Sequence, residues 1–427
     1  MAIFTGPMCQ HVDGKKELTA HESVVTVQAS SKVYIPLIHM NSTKFEVHVN
    51  EGDHVKIGTK LATRNDNFIV PVFSSVSGTV GKIVNIMHPS LRVQPHLEII
   101  SDGLNEEEPS FDPISPHSSR EELITFMKDA GIVGCGGAGF PAYIKYQGAK
   151  DIHTVVINGV ECEPYITADA VMMEKYTKEL VIGASTMVKM AMAKEAVIAI
   201  KSTKVELIKH VREALQGVEN VRVAEVRDVY PMGWERTVVF ELFKKRYDRL
   251  PGEIGVIVSN ATTAISFAQA MLEGHGITHK MVTVSGDAIK PANVWVPVGM
   301  QVKEIVEKLG GYLAEDVLLI AGGPMMGKTV INDQFVISSY SNAITILKTT
   351  PIDSVACLRC GSCTDHCPAG IQPVRIRQLE KAGDIDGLKT MDVMSCIECG
   401  LCTYVCPSKL DVTESVRRAK RRIQLLK

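Results

Sequence analysis

Eight of the 11 cysteines stand in two short runs near the end of the chain, and this spacing constrains the fold more than any other feature. The second run, Cys396-x2-Cys399-x2-Cys402-x3-Cys406-Pro407, repeats the first, Cys357-x2-Cys360-x2-Cys363-x3-Cys367-Pro368. Thiolates three residues apart can bind three irons of one cubane, while the fourth cysteine, beside proline, reaches the neighbouring cluster. The pattern therefore predicts two [4Fe-4S] clusters. Cluster 1 is assigned to Cys357, Cys360, Cys363 and Cys406, and cluster 2 to Cys396, Cys399, Cys402 and Cys367.

Zinc and disulfide bonds are the alternative uses of so many cysteines. Two C-x2-C pairs can hold a zinc ion, but zinc explains neither four cysteines per run nor the trailing Cys-Pro in both runs. A disulfide scaffold is typical of much shorter secreted chains. Two clusters held close together serve electron transfer, and a protein of this type needs a source of electrons.

Length and charge exclude several other classes of protein. A chain of 427 residues has room for two to four domains, and 46 Lys and Arg against 48 Asp and Glu leave a net charge of −2. This balance gives no electrostatic footprint for duplex nucleic acid. The first residues do not follow the signal-peptide pattern, and no apolar run approaches the roughly 18 residues of a membrane span. We expect a cytoplasmic protein, or one held at the inner face of the membrane by its partners.

Hydrophobic periodicity divides the chain into regions of mixed α/β and α+β type. Short β-rich runs with Gly and Asn turns give way to alternating strands and helices, then to β signals around one helix, and finally to helices around the cysteines. The predicted regions are an N-terminal extension (1–30), a small β domain (31–103), an acidic, proline-containing linker (104–118), an α/β domain with a parallel sheet (119–280), a small α+β domain (281–347) and a cluster domain (348–427).

The β domain resembles the biotinyl/lipoyl-type hammerhead, in which a hairpin lysine carries a swinging cofactor. An ungapped count back from Ser77-Gly78-Thr79-Val80 puts Asn67 at that position, within RNDNF. No lysine stands there, so the sequence predicts a structural module rather than a carrier.

A glycine-rich segment opens the α/β domain. Residues 134–139, GCGGAG, match G-x-G-x-x-G, but the dinucleotide fingerprint needs a strand before the glycines and a helix after them. Here an amphipathic helix with a Ser119–Glu122 capping box precedes, and the strand HTVVIN follows. Clustered glycines still let backbone N–H groups and an aromatic cofactor approach closely, and Lys145 could meet a phosphate. A plain tight turn is the alternative.

A flavin is the cofactor that such a protein would need. A pyridine nucleotide delivers two electrons as hydride, whereas a cluster accepts one at a time, so a converter must lie between them.

Several segments, in order, resemble RnfC, the C subunit of the Rnf electron-transport complex, and its soluble relatives, among them the proline reductase-associated protein PrdC. The segments are GCGGAGFPAYIK, INGVECEPYITAD, YPMGWER, GVIVSNATTA, GGPMMG and the two cysteine runs. The resemblance implies a hammerhead domain, an FMN- and NADH-binding domain similar to the flavoprotein subunit of complex I, an SLBB-like β-grasp domain and a ferredoxin-type domain with two clusters.

The resemblance also implies which residues would meet the flavin and the nucleotide. The glycine loop (Gly134, Gly136, Gly137, Ala138, Gly139 and Phe140) with Lys145 would bind FMN and admit NADH. Asn158, Glu161 and Glu163 would line the isoalloxazine and the nicotinamide, and Tyr230, Gly233 and Glu235 would form the facing loop. Asn260 and Thr263 would hold the flavin phosphate or the ribityl chain.

Two departures from the family pattern lie in this region. Trp234 and Met232 stand where membrane Rnf subunits typically read YPQGGEK, so a bulky indole replaces a glycine beside the proposed NADH face. Cys135 is unusual within the glycine loop, and we consider two roles for it: a redox-active thiol beside the flavin, or a small side chain that fills space.

Other motifs have simpler interpretations. Residues 322–329, GGPMMGKT, match G-x4-G-K-[ST], yet VINDQFVISS after them lacks a helical face and Pro324 removes an N–H group from the loop, which argues against a nucleotide triphosphatase. Cys162 is expected to pack, and Cys9 with His11 to lie in a mobile terminus rather than to bind metal. The basic tail, with Arg417, Arg418, Lys420, Arg421 and Arg422, is interpreted as a solvated helix face or a docking surface for an acidic protein such as ferredoxin or flavodoxin.

The sequence thus predicts an FMN-dependent, NADH-oxidising electron-transfer protein with two [4Fe-4S] clusters and a redox partner. A soluble relay to a reductase such as proline reductase is slightly preferred over the RnfC subunit of a membrane Rnf NADH:ferredoxin oxidoreductase. A non-enzymatic scaffold with a degenerate nucleotide site, which Trp234 would favour, is the third hypothesis.

Overall fold

The computed structural model describes residues 10–29 and 31–426, so Cys9 lies outside the described residues. Strands form four sheets. Two of them draw alternately on the strands of the N-terminal β domain, and the other two follow later in the chain, the last of them with one short N-terminal strand added. The helices of the cysteine runs come last. None of the described helices has the length and apolar character needed to cross a membrane.

The N-terminal region contributes one strand to a distant sheet and then forms a β domain. Strand β1 (Val25–Thr26) pairs in parallel with residues 294–295, so the predicted extension is part of the fold. The β domain pairs its strands in the orders β2-β8-β7-β4 and β3-β5-β6 around buried residues such as Val33, Leu61 and Ile99. Its strands are β2 (Lys32–Pro36), β3 (Phe45–Val47), β4 (His54–Val55), β5 (Lys60–Asn65), β6 (Ile69–Phe73), β7 (Gly78–His88) and β8 (Arg92–Ser101).

The next region contains a four-stranded parallel sheet with the strand order β11-β10-β9-β12. Helix α1 begins with the predicted capping box of Ser119 and Glu122. The elements are α1 (Arg120–Asp129), α2 (Tyr143–Gln147), β9 (Thr154–Asn158), α3 (Ala168–Lys175), α4 (Thr177–Ala191), β10 (Glu195–Lys201), α5 (Val205–Ala214), β11 (Val221–Val226), α6 (Glu235–Phe243), β12 (Val256–Asn260) and α7 (Ala261–Glu273). The chain runs outward from β9 to β11 and then returns to the other side of β9, so the strand order reverses between β9 and β12.

A six-stranded sheet follows, in the order β1-β14-β13-β17-β15-β16. Its elements are β13 (His279–Ser285), β14 (Ala292–Pro297), α8 (Val302–Lys308), β15 (Val317–Ala321), β16 (Lys328–Val330) and β17 (Ala343–Lys348). The segment GGPMMG connects β15 to β16, an antiparallel pair. A phosphate-binding P-loop needs a helix at this point, so the hairpin excludes the nucleotide triphosphatase.

The cysteine runs fold into short helices covered by the last long helix. These are α9 (Ser362–Asp365), α10 (Pro373–Ala382), α11 (Ile385–Thr390), α12 (Leu401–Tyr404) and α13 (Val412–Leu425); short 3₁₀ helices lie at Lys16–Leu18, Pro251–Ile254 and Val393–Ser395. Helix α13 buries Val416, Ala419 and Ile423 against α10 and α11.

Most of the basic tail is engaged within this domain. Arg418 and Arg422 contact the buried carboxylate of Glu380, at 3.2 and 3.5 Å, and Lys420 and Arg417 contact Glu398, at 2.7 and 3.3 Å. These ion pairs hold α13 on the domain and favour neither of the two predicted interpretations of the tail.

Candidate flavin and iron-sulfur sites

The carboxyl ends of β9 and β12 lie side by side where the strand order reverses. Asn158 and Asn260 are register partners at these ends. Asn260 caps α7 by accepting a hydrogen bond from the Thr263 N–H at 3.2 Å, and Asn158 donates to the Gly233 carbonyl at 2.8 Å. In parallel sheets, ligands bind in the crevice at such a switch point, so the predicted Asn158, Gly233, Asn260 and Thr263 meet at the expected place.

The glycine loop lies against the start of α7. The Thr263 hydroxyl accepts from the Cys135 N–H at 2.9 Å and donates to the Val133 carbonyl at 3.3 Å. A Cβ atom at Gly136 would lie 2.6 Å from the Asn260 side-chain nitrogen, so a larger residue there would have to displace the Asn260 amide.

The same loop presents unused donors to solvent. Residues 136–138 are exposed, and within the described part of the chain their backbone N–H groups donate to no acceptor. Exposed amides beside a helix N-terminus fit an anionic, planar cofactor such as FMN. The residues present therefore fit the flavin that the sequence predicts.

Two predicted residues of this loop region point elsewhere. The Lys145 ammonium group donates to the Val258 carbonyl within the sheet at 2.6 Å, and burial lowers its pKa, so the structure does not direct it at the glycine loop. Cys135 is completely buried, and its thiol lies 3.4 Å from the Val133 carbonyl. This position favours the space-filling role for Cys135.

Glu161 and Glu163 lie in the loop after β9, and each binds backbone amides of another element. Glu161 accepts from the N–H groups of Asp169 and Ala170, at 2.7 and 3.2 Å, at the start of α3. Glu163 accepts from Met325 and Met326, at 3.1 and 2.7 Å, in the β15–β16 hairpin. Burial raises the pKa of both carboxyl groups to about 7.

Lys16 is a residue of this site that the sequence analysis missed. Its ammonium group donates to the carbonyls of Glu163, at 2.7 Å, and Ile166, and burial lowers its pKa to about 8. It comes from the N-terminal extension, about 150 residues away from its partners, and no periodicity or motif signals such a contact.

The facing loop closes the crevice from the other side. Tyr230 is buried, and Glu235 accepts a hydrogen bond from the Tyr247 hydroxyl at 3.0 Å. Trp234 is half-buried and precedes the first residue of α6. The predicted loop residues therefore lie together, next to the Cys162 thiol, whose pKa burial raises to about 11.

The cysteines gather in two cavities. One is lined by Cys357, Cys360, Cys363 and Cys406, and the other by Cys367, Cys396, Cys399 and Cys402. Each cavity thus takes its fourth cysteine from the other run, as the Cys-Pro pattern predicts.

The spacing of these cysteines bears on the zinc alternative. Among the described residues, no three Cys, His, Asp or Glu side chains converge as the ligands of a single metal ion do. The thiolates of a cubane bind different irons and stay further apart, so two sets of four cysteines fit two [4Fe-4S] clusters.

Cluster 2 adjoins the crevice. The Tyr230 hydroxyl donates to the Cys399 carbonyl at 2.6 Å, and Tyr230, Cys399 and Leu401 form one buried apolar group. Cys162 and Met325 pack against this group. Cluster 1 lies on the outside, where Cys360 is exposed.

Comparison with family models assigns the same order of domains. The chain matches an RnfC barrel sandwich hybrid domain over residues 7–103, a Nuo51 FMN-binding domain over 127–269, an SLBB domain over 281–329 and a 4Fe-4S dicluster domain over 350–407. These matches confirm the predicted fold class and the predicted cofactors, FMN and [4Fe-4S] clusters. The roles of individual flavin-site residues stay predictions.

Curated relatives match over most of the chain. It is 32% identical over 430 residues to the C subunit of the Na(+)-translocating ferredoxin:NAD(+) oxidoreductase complex of Acetobacterium woodii, covering 97% of this chain and 96% of that protein. It is 31% identical to the C subunit of the proton-translocating ferredoxin:NAD(+) oxidoreductase complex of Clostridium ljungdahlii, covering 85% and 81%. Against the C subunit of the ion-translocating oxidoreductase complex of Vibrio cholerae, at 31% identity and 90% coverage of this chain, it spans only 51% of the relative.

A solved structure shares the fold. A chain of the NAD+-reducing [NiFe]-hydrogenase in the air-oxidized state aligns with a TM-score of 0.53 at 15% identity, over 72% of this chain and 67% of that one. At this identity the likeness concerns the fold alone.

Proposed function

The chain belongs to the RnfC family, and from this premise we propose that it oxidises NADH with FMN and passes electrons through two [4Fe-4S] clusters to a redox protein. When bound, FMN turns the two electrons of a hydride into single electrons, which a cluster accepts one at a time. The protein's own part is to hold these groups in sequence and to keep water away from them.

One observation carries this proposal: the contact between the facing loop of the flavin crevice and cluster 2. Tyr230 belongs to that loop, and its hydroxyl binds the carbonyl of the ligand Cys399 at 2.6 Å. Through this contact, cluster 2 is the cluster nearer to a flavin in the crevice. Because electron transfer slows steeply with distance, cluster 2 is the first acceptor, and cluster 1, with its exposed Cys360, is the outlet.

The nucleotide would meet the crevice between the glycine loop and the facing loop. The partly buried Glu161 and Glu163 fix the backbone of α3 and of the β15–β16 hairpin around this crevice. Trp234 stands at its rim, half-buried, and is the residue whose size bears most directly on nucleotide affinity.

The names of the relatives favour one of the two predicted electron-transfer roles, the subunit of an oxidoreductase complex, over the soluble relay to a reductase. These relatives are C subunits of oxidoreductase complexes, and two of those complexes are named ferredoxin:NAD(+) oxidoreductases. We therefore favour a subunit of such a complex, held at the inner face of the membrane by partner subunits. The soluble relay to a reductase such as proline reductase stays a prediction without support from these relatives.

The cavity of cluster 1 suggests which surface the partner meets. Arg359, Arg375 and Arg377 line it, and no acidic residue does. Exposed apolar residues lie just before the first cysteine run and at its start: Ile352, Val355 and Leu358. An apolar patch with a basic rim suits a partner with an acidic surface, such as a ferredoxin.

An anaerobic absorption spectrum of the reconstituted protein tests the proposal. Addition of NADH should bleach both the flavin band and the broad cluster band. Bleaching by dithionite but not by NADH would contradict NADH oxidation and favour a scaffold whose clusters only pass electrons between partners, the function that the bulk of Trp234 would suggest. In that case Trp234→Gly, which restores the residue typical of membrane Rnf subunits, should restore bleaching by NADH.

A further inference from the structure

The β5–β6 hairpin of the N-terminal β domain and His39, from the segment between β2 and β3, lie against the glycine loop. We propose that this hairpin, at the position where lipoyl domains carry their cofactor, is a brace that holds the glycine loop in its FMN-binding conformation, with His39 as the positioning residue. The inference rests on the proposed binding of FMN to this loop. It gives a role to the N-terminal β domain, which takes no part in the transfer of electrons from NADH.

The first contact is a chain of hydrogen bonds that ends on the loop backbone. Asp66, in the turn between β5 and β6, binds the Arg64 guanidinium through two contacts of 2.8 and 3.1 Å. Arg64 binds His39 Nδ1 at 2.9 Å, and His39 Nε2 lies 2.7 Å from the Gly139 carbonyl oxygen. Arg64 and His39 are both buried, so the link between them and the link to the loop are shielded from competing water.

The protonation state of His39 suits this chain. Burial, the largest influence, lowers its pKa to about 4, so the ring is neutral at pH 7. A neutral imidazole donates from one nitrogen and accepts at the other. Since Arg64 can only donate to Nδ1, the proton sits on Nε2 and is donated to the Gly139 carbonyl.

The loop is shaped to receive this contact. Gly139 has φ +71°, a conformation that favours glycine, and a Cβ atom there would lie 2.7 Å from the Tyr340 ring and 3.2 Å from His39 Nε2. The carbonyl that His39 holds follows directly on residues 136–138, whose N–H groups are free to bind a ligand. His39 therefore fixes the peptide unit that directly follows these donors, at the end of the segment that presents them.

Two further contacts join the same hairpin to Phe140, the last residue of the loop, and to Tyr143 just after it. The rings of Phe68 and Phe140 meet edge to face with centroids 5.6 Å apart, and the Ile69 N–H donates to the Tyr143 hydroxyl at 3.2 Å. Asn67, the residue at the carrier position, is exposed at the tip of the turn. The residues of the hairpin next to the carrier position, Phe68 and Ile69, are therefore the ones that contact the loop region.

The test compares variants of the full, cluster-loaded chain by two independent measurements. The first is FMN affinity, from quenching of flavin fluorescence on titration. The second is hydrogen–deuterium exchange of residues 131–143 without FMN. His39→Ala should weaken FMN binding about tenfold, as expected for one lost hydrogen bond in a shielded site, and should speed exchange in the loop. His39→Gln, which can donate from a similar position, should restore most of both.

Phe68→Ala and Asn67→Ala make the comparison specific. Phe68→Ala should reproduce a smaller part of the effect even if His39→Ala does not fold, whereas Asn67→Ala, in the same turn, should change neither measurement. Unchanged FMN affinity in folded His39→Ala and Phe68→Ala, whether or not exchange speeds up, would overturn the brace. If Gly136→Val, which would collide with Asn260, also left FMN affinity unchanged, the assignment of FMN to the loop would fail as well.

Discussion

The two cluster sites are built from the same cysteine spacing but differ in their surroundings. The site of cluster 2 is closed: Cys367 and Cys399 are buried, Tyr230 touches the Cys399 backbone, and the acidic Glu398 in its lining is paired with Arg417 and Lys420. The site of cluster 1 opens to solvent at Cys360 and is lined by arginines. The same ligand pattern can thus serve an internal relay and an external contact, and the environment decides which.

Exchange of the fourth cysteine is the feature on which this comparison depends most. In Cys367→Ala, we expect about half of the iron to be lost, because one cluster no longer has four ligands. Alkylation mapped by mass spectrometry should then find Cys396, Cys399 and Cys402 reactive, and Cys357, Cys360 and Cys363 protected. The opposite pattern would mean that each run binds its own cluster, and Cys406→Ala is the reciprocal control.

The arginines of cluster 1 should govern the encounter with a partner. In Arg375→Glu with Arg377→Glu, we expect the second-order rate of electron transfer to a small acidic ferredoxin to fall on the order of tenfold at low salt, and the difference to shrink as salt is added. Stopped-flow absorption measures this rate. Arg421→Glu, on an exposed position of α13, is the matched control, and an equal effect of both changes would argue against a specific docking surface.

Tyr230 should matter for the closed site alone. Tyr230→Phe keeps the ring but leaves the buried Cys399 carbonyl without its 2.6 Å hydrogen bond, at a cost of about 1–3 kcal/mol. Urea unfolding should report this loss, together with slower reduction of cluster 2 by NADH. Tyr404→Phe, at an exposed tyrosine of the cluster domain, should have no effect. A Tyr230→Phe protein as stable as the parent would show that this hydrogen bond does not stabilise the closed site.

A smaller effect is expected from Glu163 on how the free energy of unfolding depends on pH. Burial raises the pKa of this carboxyl group from about 4.5 to about 7 in the folded protein, so the folded state holds the proton more firmly than the unfolded state. Its contribution to stability is therefore complete below pH 4.5 and is lost as the pH rises through 7. Glu163→Gln should reduce the difference in unfolding free energy between pH 5.5 and pH 8 by on the order of 1 kcal/mol. The exposed Glu121→Gln is the control, and an unchanged difference in Glu163→Gln would contradict the raised pKa.

Local patterns in the sequence predict much of this structure. The capping box of Ser119 and Glu122, the strand at 154–158 and the exchange of Cys367 and Cys406 follow from rules that act over a few residues or from the geometry of a cubane. The resemblance to the family adds the identity of the crevice, which spacing alone does not give.

Contacts between distant segments could not be predicted in this way. Lys145 binds the Val258 carbonyl, Lys16 reaches the loop after β9, and Arg418 pairs with Glu380, each across dozens of residues. Such partners depend on how distant elements pack against each other, and neither the charge pattern nor the hydrophobic periodicity of the sequence predicts them. The basic tail illustrates this point, because its charge pattern is that of a free surface although most of its cations are paired.

The order of the two clusters in the electron path is the central claim, and NADH reduction of the two cysteine variants tests it most directly. With cluster 1 removed by Cys406→Ala, stopped-flow and EPR spectra after anaerobic addition of NADH should show rapid reduction of cluster 2 and no onward transfer to an external ferredoxin. With cluster 2 removed by Cys367→Ala, NADH should reduce the flavin but leave cluster 1 oxidised on the same timescale. Rapid reduction of cluster 1 in Cys367→Ala would contradict the path from the crevice through cluster 2 to the surface.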